Sequence, residues 1–264
     1  MKHAVTKLLL AAALVTCGIC AARAQTAEEL TTAEVFKAAD GTTLNVRVHM
    51  PPAPPEGKKL PVVLFLHGAG ERGSDNTLQL KHGIESLIRY CKDAGDPAIL
   101  LVPQCPDGQT WVDIPWTTKA HTMKEQPAQP MRLALELLHE KMAALPVDPA
   151  RVYITGVSMG GYGTWDAIQR EPSLFAAALP ICGGADTNLV SAIRHIPVWT
   201  FHGDKDTAVP VSRSRDITAA LEACGGNIHY REYPDAEHDV WTRTYNDADV
   251  LKWFFSQRKK PDET

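Results

Sequence analysis

Residues 151–163 read Arg-Val-Tyr-Ile-Thr-Gly-Val-Ser-Met-Gly-Gly-Tyr-Gly, and the expected fold follows from them. The β-branched run at 151–155 predicts a strand, and residues 162–170 have the character of a helix. Ser158 stands between two glycines at the junction, a spacing that suits a sharp strand-to-helix turn. Such a turn, a nucleophile elbow, holds a serine hydroxyl above the sheet, near the positive end of the helix. The stretch therefore predicts a nucleophilic serine.

Strands and helices alternate on both sides of this turn. An alternating pattern on either side of Asp40-Gly41 predicts a β-hairpin over residues 34–49. Apolar or alternating runs predict further strands at residues 61–66, 98–102, 175–181, 197–201 and 229–233. Apolar residues at helical spacing predict helices at residues 80–92, 131–145, 212–224 and 246–255. The order predicts a three-layer α/β fold, with a mostly parallel sheet of about eight strands and an N-terminal antiparallel hairpin.

The N-terminus predicts export. A short basic start is followed by an apolar run at residues 8–20 and by Ala22-Arg-Ala24, which together indicate a secretory signal peptide over residues 1–24. The apolar run is shorter than the roughly 20 residues that a membrane span needs. We therefore expect a secreted or periplasmic protein, with no membrane span after cleavage and a single domain over residues 25–264.

Charge and cysteine content exclude some functions. Cleavage would leave 24 basic and 31 acidic residues, a net charge of −7 with neutral histidines. No basic stripe is present, which argues against a nucleic acid partner. Four cysteines would remain without the spacing of a metal site, and both one disulfide and free thiols stay open: Cys91, Cys105, Cys182 and Cys224. The oligomeric state is not predicted.

A nucleophilic serine needs a base, and the base needs an acid that orients it. For a serine in such an elbow, the acid and then the histidine follow later strands. Residues 201–210 read Phe-His-Gly-Asp-Lys-Asp-Thr-Ala-Val-Pro and offer two carboxylates. Asp206 is placed to turn inward from the loop, whereas Asp204 lies beside the strand end and would brace the turn. Asp206 is therefore the predicted acid.

The predicted base is His238. It lies in the loop 234–241, Pro-Asp-Ala-Glu-His-Asp-Val-Trp, which leads from the last strand to the last helix. His229 lies within that strand and is not suited to this role.

Two backbone N–H groups should form the oxyanion hole. One should come from Met159, directly after the nucleophile, and one from the loop after the strand at residues 61–66. Ala69 is the predicted second donor, with Gly68 and Gly70 as alternatives. His67 is expected to pack or to hydrogen-bond within this loop, since one base suffices.

Four motifs carry a family resemblance: residues 67–73, 156–163, 202–210 and Glu237-His238. Together they resemble the α/β-hydrolase superfamily, and within it the phospholipase/carboxylesterase, dienelactone-hydrolase-like and predicted-peptidase group, over roughly residues 44–255. The resemblance implies Ser158 as nucleophile, Asp206 as acid and His238 as base. Dienelactone hydrolases proper use a cysteine nucleophile, so Ser158 argues against that narrower activity. Glu237 stands where many relatives have glycine.

The expected pocket is open. About 15 residues link the strands at 175–181 and 197–201, too few for a helical lid domain. Trp111, Trp116 and Trp241 could form aromatic walls, although plugging the edge of the core is an equal alternative for each.

These observations predict a serine carboxylesterase with no metal or organic cofactor. The expected substrate is a small-molecule or polymer-linked ester, and acetyl or feruloyl esters of polysaccharides are suggested by family analogy. The alternatives are a peptidase, similar to prolyl oligopeptidases, on the same triad, and a non-catalytic binding protein on a hydrolase scaffold.

Overall fold

The computed structural model describes residues 25–52 and 56–259, and the predicted signal peptide lies outside them. The strands are β1 Thr32–Lys37, β2 Thr43–His49, β3 Leu60–Leu66, β4 Ile99–Pro103, β5 Val147–Val157, β6 Ala177–Ile181, β7 Val198–Gly203 and β8 Ile228–Tyr233. The α-helices are α1 Ile84–Asp93, α2 Gln129–Ala144, α3 Met159–Arg170, α4 Val190–Ile193, α5 Ser212–Ala223, α6 Trp241–Tyr245 and α7 Ala248–Ser256. Among these described helices, none is long and apolar enough to cross a membrane.

All eight strands join one sheet in the order β1-β2-β4-β3-β5-β6-β7-β8. Strand β2 is antiparallel to β1 and β4, and every other neighbouring pair is parallel. The prediction of a mostly parallel, eight-stranded α/β sheet with an N-terminal antiparallel hairpin is therefore confirmed. The link from β6 to β7 contains only a 3₁₀ turn and the single-turn helix α4, with no lid domain.

Helices cover both faces of the sheet. Because alternate residues of a strand point to opposite faces, each central strand contributes side chains to two separate cores. Along β3, Leu64 and Leu66 join the core under α2, α3 and α5, whereas Val63 and Phe65 join the core under α1 and α7. Every residue of β3 is buried. This accounts for the continuous apolar run in the sequence, which is typical of a strand that is covered on both faces.

The carboxyl ends of the central strands lie side by side. Leu66 of β3 pairs with Gly156 of β5, and Val157 of β5 pairs with Ile181 of β6. Further along, Gly203 of β7 pairs with Tyr233 of β8. The loops after β3, β5, β7 and β8 therefore meet at one edge of the sheet, which is where an α/β sheet binds its ligands.

The helix predicted from residue 80 begins later, at Ile84. Gly83, the residue directly before the helix, has a φ of 76°, which does not fit a continuous helix. A Cβ atom at Gly83 would also lie 2.6 Å from the Tyr245 ring. Tyr245 belongs to the short helix α6, which the sequence did not predict.

Residues 104–128 form a long loop with no strand or helix of their own. Neighbouring side chains hold its backbone: the Tyr162 hydroxyl donates to the Trp116 carbonyl at 2.8 Å, and Arg213 Nη1 donates to the Lys119 carbonyl at 2.9 Å. These donors belong to α3 and α5, so the loop is fixed over the same end of the sheet that carries the elbow.

Candidate active site

The elbow lies between β5 and α3. Ser158 has a φ of 55° and a ψ of −115°, a conformation that L-residues rarely adopt. A Cβ atom at Gly160 would overlap the Leu66 carbonyl oxygen, and one at Gly156 would overlap the Gly160 carbonyl. The two glycines are therefore required by close backbone packing between β3, β5 and the start of α3.

The structure brings the three predicted catalytic side chains together. His238 Nε2 lies 2.7 Å from Ser158 Oγ, and His238 Nδ1 lies 2.6 Å from Asp206 Oδ2. The Asp206 side chain is fully buried, and that of His238 is 25% exposed. Since an ionised carboxylate only accepts, Nδ1–H donates to Asp206, which leaves Nε2 as the acceptor for the serine proton.

Asp206 is held as a carboxylate. Its Oδ1 accepts the backbone N–H groups of Ala208 at 2.9 Å and Val209 at 2.8 Å. Burial by itself would raise the pKa of this carboxyl, but the hydrogen bonds from His202, His238 and the Val209 N–H outweigh burial and hold the pKa well below its usual range. An ionised acid of this kind stabilises the imidazolium that forms when the base takes a proton.

Asp204 lies in the other position that the sequence allowed. Its Oδ1 accepts the Ala236 N–H at 3.3 Å, so it links the acid-bearing loop to the base-bearing loop. Lys205 N–H also donates to the Ala236 carbonyl, at 2.9 Å. A Cβ atom at Gly203 would overlap the carbonyl oxygens of Ala236 and Glu237. Close contact between the two loops therefore sets the position of the base relative to the acid.

Side-chain hydrogen bonds to its carbonyl groups fix the loop after β3. Trp111 Nε1 donates to the His67 carbonyl at 3.0 Å, His67 Nδ1 to the Gly68 carbonyl at 2.7 Å, and Arg72 Nε to the Ala69 carbonyl at 2.8 Å. In a trans peptide the C=O and the following N–H point in opposite directions. Fixing the Gly68 carbonyl therefore fixes the direction of the Ala69 N–H.

The N–H groups of Ala69 and Met159 donate to no protein acceptor within residues 25–52 and 56–259. Met159 is the first residue of α3, where the N–H groups of a helix have no intrahelical partner. Both groups are thus available to an oxyanion, and their role in an oxyanion hole stays a prediction.

His67 is a structural histidine of this loop. Its Nε2 accepts the Cys105 N–H at 2.9 Å while Nδ1 donates to Gly68, so the ring is in its neutral form. Burial lowers the pKa of His67 to about 4. The sequence predicted this type of role and did not predict the contact with Cys105.

The three tryptophans have different positions. Trp111 is completely buried in the core and donates to the His67 carbonyl, so it offers no surface to a substrate and does not suit a pocket wall. Trp116 is partly buried and packs against the core under α3. Trp241 lies edge-on to His238, with ring centroids 5.3 Å apart and an interplanar angle of 88°. Trp241 is therefore the tryptophan in direct contact with the predicted triad.

Each of the four cysteines in the described chain is a free thiol. Cys182 is buried directly after β6, and its Sγ, His202 and Asp206 offer possible metal ligands within 4.8 Å of one another. His202 Nε2 already lies 3.1 Å from Asp206 Oδ2 there, and the same Asp206 oxygen accepts from His238. A cation at this position would have to displace the contact between acid and base, so the group does not suit a resident metal.

Sequence reasoning missed two residues that shape the site. His202 lies 3.1 Å from Asp206, and Arg72 holds the Ala69 carbonyl. Both residues stand inside the motifs at 67–73 and 202–210. The only sequence signal was therefore their nearness to predicted site residues, because the contacts depend on how each loop turns.

A sequence profile described as phospholipase/carboxylesterase matches residues 52–251. The chain belongs to this family. A solved thermostable esterase is similar with a TM-score of 0.81 and 35% identity, over 88% of this chain and 64% of that one. A feruloyl esterase module from Clostridium thermocellum has a TM-score of 0.63 over 89% of this chain and 90% of that one. At 16% identity, the second likeness shows the fold alone.

Two curated relatives are more distant. An uncharacterised secreted protein of Arthroderma benhamiae is 27% identical over 228 residues, 75% of this chain and 23% of that protein. The bifunctional acetylxylan esterase/xylanase XynS20E of Neocallimastix patriciarum is 26% identical over 107 residues, 40% of this chain and 16% of that protein. The chain thus spans less than two thirds of the length of these relatives and of the thermostable esterase.

Proposed function

We propose that this protein hydrolyses carboxylic esters through an acyl-enzyme on Ser158. One observation supports the proposal most directly: a continuous set of hydrogen bonds runs from Ser158 Oγ through the His238 ring to Asp206 Oδ2. Nucleophile, base and acid are thus arranged for acyl transfer. Membership of the phospholipase/carboxylesterase family agrees with that chemistry.

In the first half of the reaction, Ser158 Oγ attacks the ester carbonyl carbon while its proton passes to His238 Nε2. The carbonyl oxygen becomes an oxyanion and accepts hydrogen bonds from the N–H groups of Met159 and Ala69. The intermediate collapses, the bond to the alcohol oxygen breaks, and His238 gives its proton to the departing alcohol. Asp206 stays ionised throughout and stabilises the imidazolium.

In the second half, water attacks the acyl carbon and its proton passes to His238 Nε2. The second tetrahedral intermediate uses the same two N–H groups. Its collapse breaks the bond to Ser158 Oγ, which takes the proton back from His238, and the carboxylic acid leaves. Each residue therefore returns to its starting state without a cofactor in any step.

The substrate class is part of the proposal. We expect acetyl or feruloyl esters of polysaccharides, acted on outside the cytoplasm after removal of the signal peptide. The short link between β6 and β7 leaves room for a bulky or polymer-linked ester. The proposal is also supported by similarity to an acetylxylan esterase/xylanase and to a secreted protein, and a feruloyl esterase module has the same fold.

A parallel assay tests activity and class together. Purified protein and Ser158→Ala are incubated with p-nitrophenyl acetate, methyl ferulate and a peptide anilide, and both are treated with a fluorophosphonate probe. We expect ester turnover and probe labelling that require Ser158. Faster cleavage of the anilide would assign a peptidase, and absence of both labelling and turnover would assign a binding protein.

A further inference from the structure

A second histidine contacts the predicted acid. His202, near the end of β7, has its Nε2 3.1 Å from Asp206 Oδ2 and 3.1 Å from the Val209 carbonyl oxygen. The side chains of His202 and Asp206 are both 0% exposed. Because Nε2 faces two acceptors, it must carry a proton. Its single N–H donates to the Val209 carbonyl, and Asp206 Oδ2 is a second acceptor at the same distance.

The opposite side of the His202 ring contacts a serine. Nδ1 lies 2.8 Å from the hydroxyl oxygen of Ser214, a fully buried residue of α5. In a neutral imidazole with its proton on Nε2, Nδ1 is an acceptor. The Ser214 hydroxyl then donates to Nδ1 at 2.8 Å rather than to the more distant Gly183 carbonyl at 3.4 Å. Ser214 therefore holds the tautomer whose Nε2–H faces the Val209 carbonyl and Asp206.

The four donors around Asp206 match the capacity of a carboxylate. Oδ1 accepts from Ala208 N–H and Val209 N–H, and Oδ2 accepts from His238 Nδ1 and shares the His202 Nε2–H with the Val209 carbonyl. An ionised carboxylate offers about four lone-pair sites. Loss of the His202 donor would leave Oδ2 under-satisfied in a site that water does not reach, which is costly.

We propose that His202 is a positioning residue for the acid. It holds Asp206 Oδ2 in line with His238, and it weakens the attraction between the carboxylate and the His238 imidazolium. The inference rests on the proposed function. A carboxylate oxygen that shares its electron density with a second donor attracts the first donor less. Without His202, Asp206 should attract the charged form of the base more strongly and should be free to rotate.

Three other ionisable groups that interact with the pair do not change charge around neutral pH. Burial raises the pKa of the Cys182 thiol and of the Tyr162 hydroxyl, so both stay protonated. Hydrogen bonding to Arg215 lowers the pKa of Glu232, so that group stays ionised. A change in the pH profile near neutrality would therefore report on the two histidines.

The experiment compares His202→Leu, which removes the donor, with His202→Gln, which keeps an amide N–H near the same place. The matched control is Thr200→Val on the same strand, which removes the buried hydrogen bond from Thr200 Oγ1 to the Pro180 carbonyl at 3.0 Å without touching Asp206. Each variant is assayed with p-nitrophenyl acetate, with rates normalised to the folded fraction.

We expect His202→Leu to lower kcat by roughly 10- to 100-fold, the effect of a slightly misplaced catalytic group, with a smaller change in KM. The acid limb of its kcat/KM profile should move to higher pH. His202→Gln should recover most of the rate, and Thr200→Val should keep both the rate and the limb. NMR titration of histidine-labelled protein should show the same shift for His238 without any turnover.

The inference would be overturned if His202→Leu kept the wild-type kcat and the acid limb of its kcat/KM profile did not move. It would also be overturned if Thr200→Val lost as much kcat as His202→Leu. If His202→Leu does not fold, Ser214→Ala gives the second test, because it releases the tautomer and should cause a smaller loss and shift in the same direction. An unchanged limb there would also overturn it. The proposed function fails separately, if the unaltered protein shows neither ester turnover nor labelling of Ser158.

Discussion

Ser158 stores backbone strain at the residue that is to react. A non-glycine residue at a φ of 55° and a ψ of −115° costs on the order of 1–3 kcal/mol, so its surroundings must hold it there. Its N–H donates to the Ile181 carbonyl at 2.8 Å, and its carbonyl accepts the Tyr162 N–H at 3.1 Å. The backbone of the nucleophile is thus fixed from β6 and from α3, independently of its hydroxyl group.

Ser158→Ala should therefore fold normally and lose activity. We expect ester turnover to fall by roughly 10³-fold or more, because only binding and the oxyanion donors would remain. The measurement is kcat/KM for p-nitrophenyl acetate, with circular dichroism and thermal unfolding as controls. Retained turnover in pure, folded protein would contradict the elbow assignment.

The two aspartates of the acid loop form a matched pair. Asp206→Asn should lower kcat by about 10⁴-fold, because an amide no longer selects the correct tautomer of the base. Asp204→Asn keeps an oxygen that can accept the Ala236 N–H, so its rate should stay close to that of the unaltered protein. Steady-state kinetics on both variants decide the matter, and a larger loss at Asp204 would reverse the assignment.

The candidate triad was predictable because chain order limits the choice of each partner. The elbow identified Ser158, and the loops after later strands offered two aspartates and one histidine in suitable positions. The supporting residues were not predictable in this way. The contacts of His202 and Trp111 depend on loop conformation, and no spacing rule states which side chain a carbonyl will meet.

At the scale of elements, the site depends on how closely α3 approaches β3. Gly160, in the first turn of α3, lies against the Leu66 carbonyl, and Gly161 lies against the Ile181 carbonyl. No larger residue fits between these backbones without moving the helix. The start of α3, and with it the Met159 N–H, is therefore positioned by direct backbone contact with the neighbouring strands.

Comparing Gly160→Ala with a glycine-to-alanine change elsewhere should separate the cost of this close contact from the general effect of replacing glycine. We expect the free energy of unfolding to fall by about 3 kcal/mol or more, since the added Cβ overlaps a backbone oxygen. Gly70→Ala is the control, because a Cβ there meets nothing within 4 Å and its φ is not positive. Urea unfolding of both variants gives the comparison, and equal stabilities would show that α3 can shift at little cost.

Strand positions were predictable and some helix boundaries were not. The buried strands produced apolar runs that matched the structure to within a few residues, because burial on both faces leaves little choice of side chain. Helix α1 begins at Ile84 because Gly83 packs against Tyr245, a residue far away in sequence. Local periodicity does not carry such information.

At the scale of the whole molecule, buried neutral histidines make stability depend on pH. The pKa of His67 is lowered to about 4 in the folded protein, against about 6.5 in an unfolded chain. The unfolded state therefore takes up a proton first as the pH falls, and folding loses stability through this range. The stabilisation is complete above the unfolded pKa and is lost progressively down to the folded pKa.

We expect this single group to lower the free energy of unfolding by about 2 kcal/mol between about pH 7.5 and about pH 5. Urea unfolding at several pH values measures the slope, and His67→Gln is the variant that should lose this part of it. His49 and His121 also have lowered pKa values, mainly through burial, so part of the slope should remain. Equal slopes in the two proteins would show that His67 is not neutral when folded.

The surroundings of the acid have a consequence for protein design. Three of the four donor groups that face Asp206 belong to the eight-residue segment 202–209, and the fourth is His238. The segment is nearly self-contained and needs one buried hydroxyl, that of Ser214, behind it. Protein designers could transfer this segment to the end of another parallel strand. There it would offer an ionised carboxylate to an imidazole introduced opposite it.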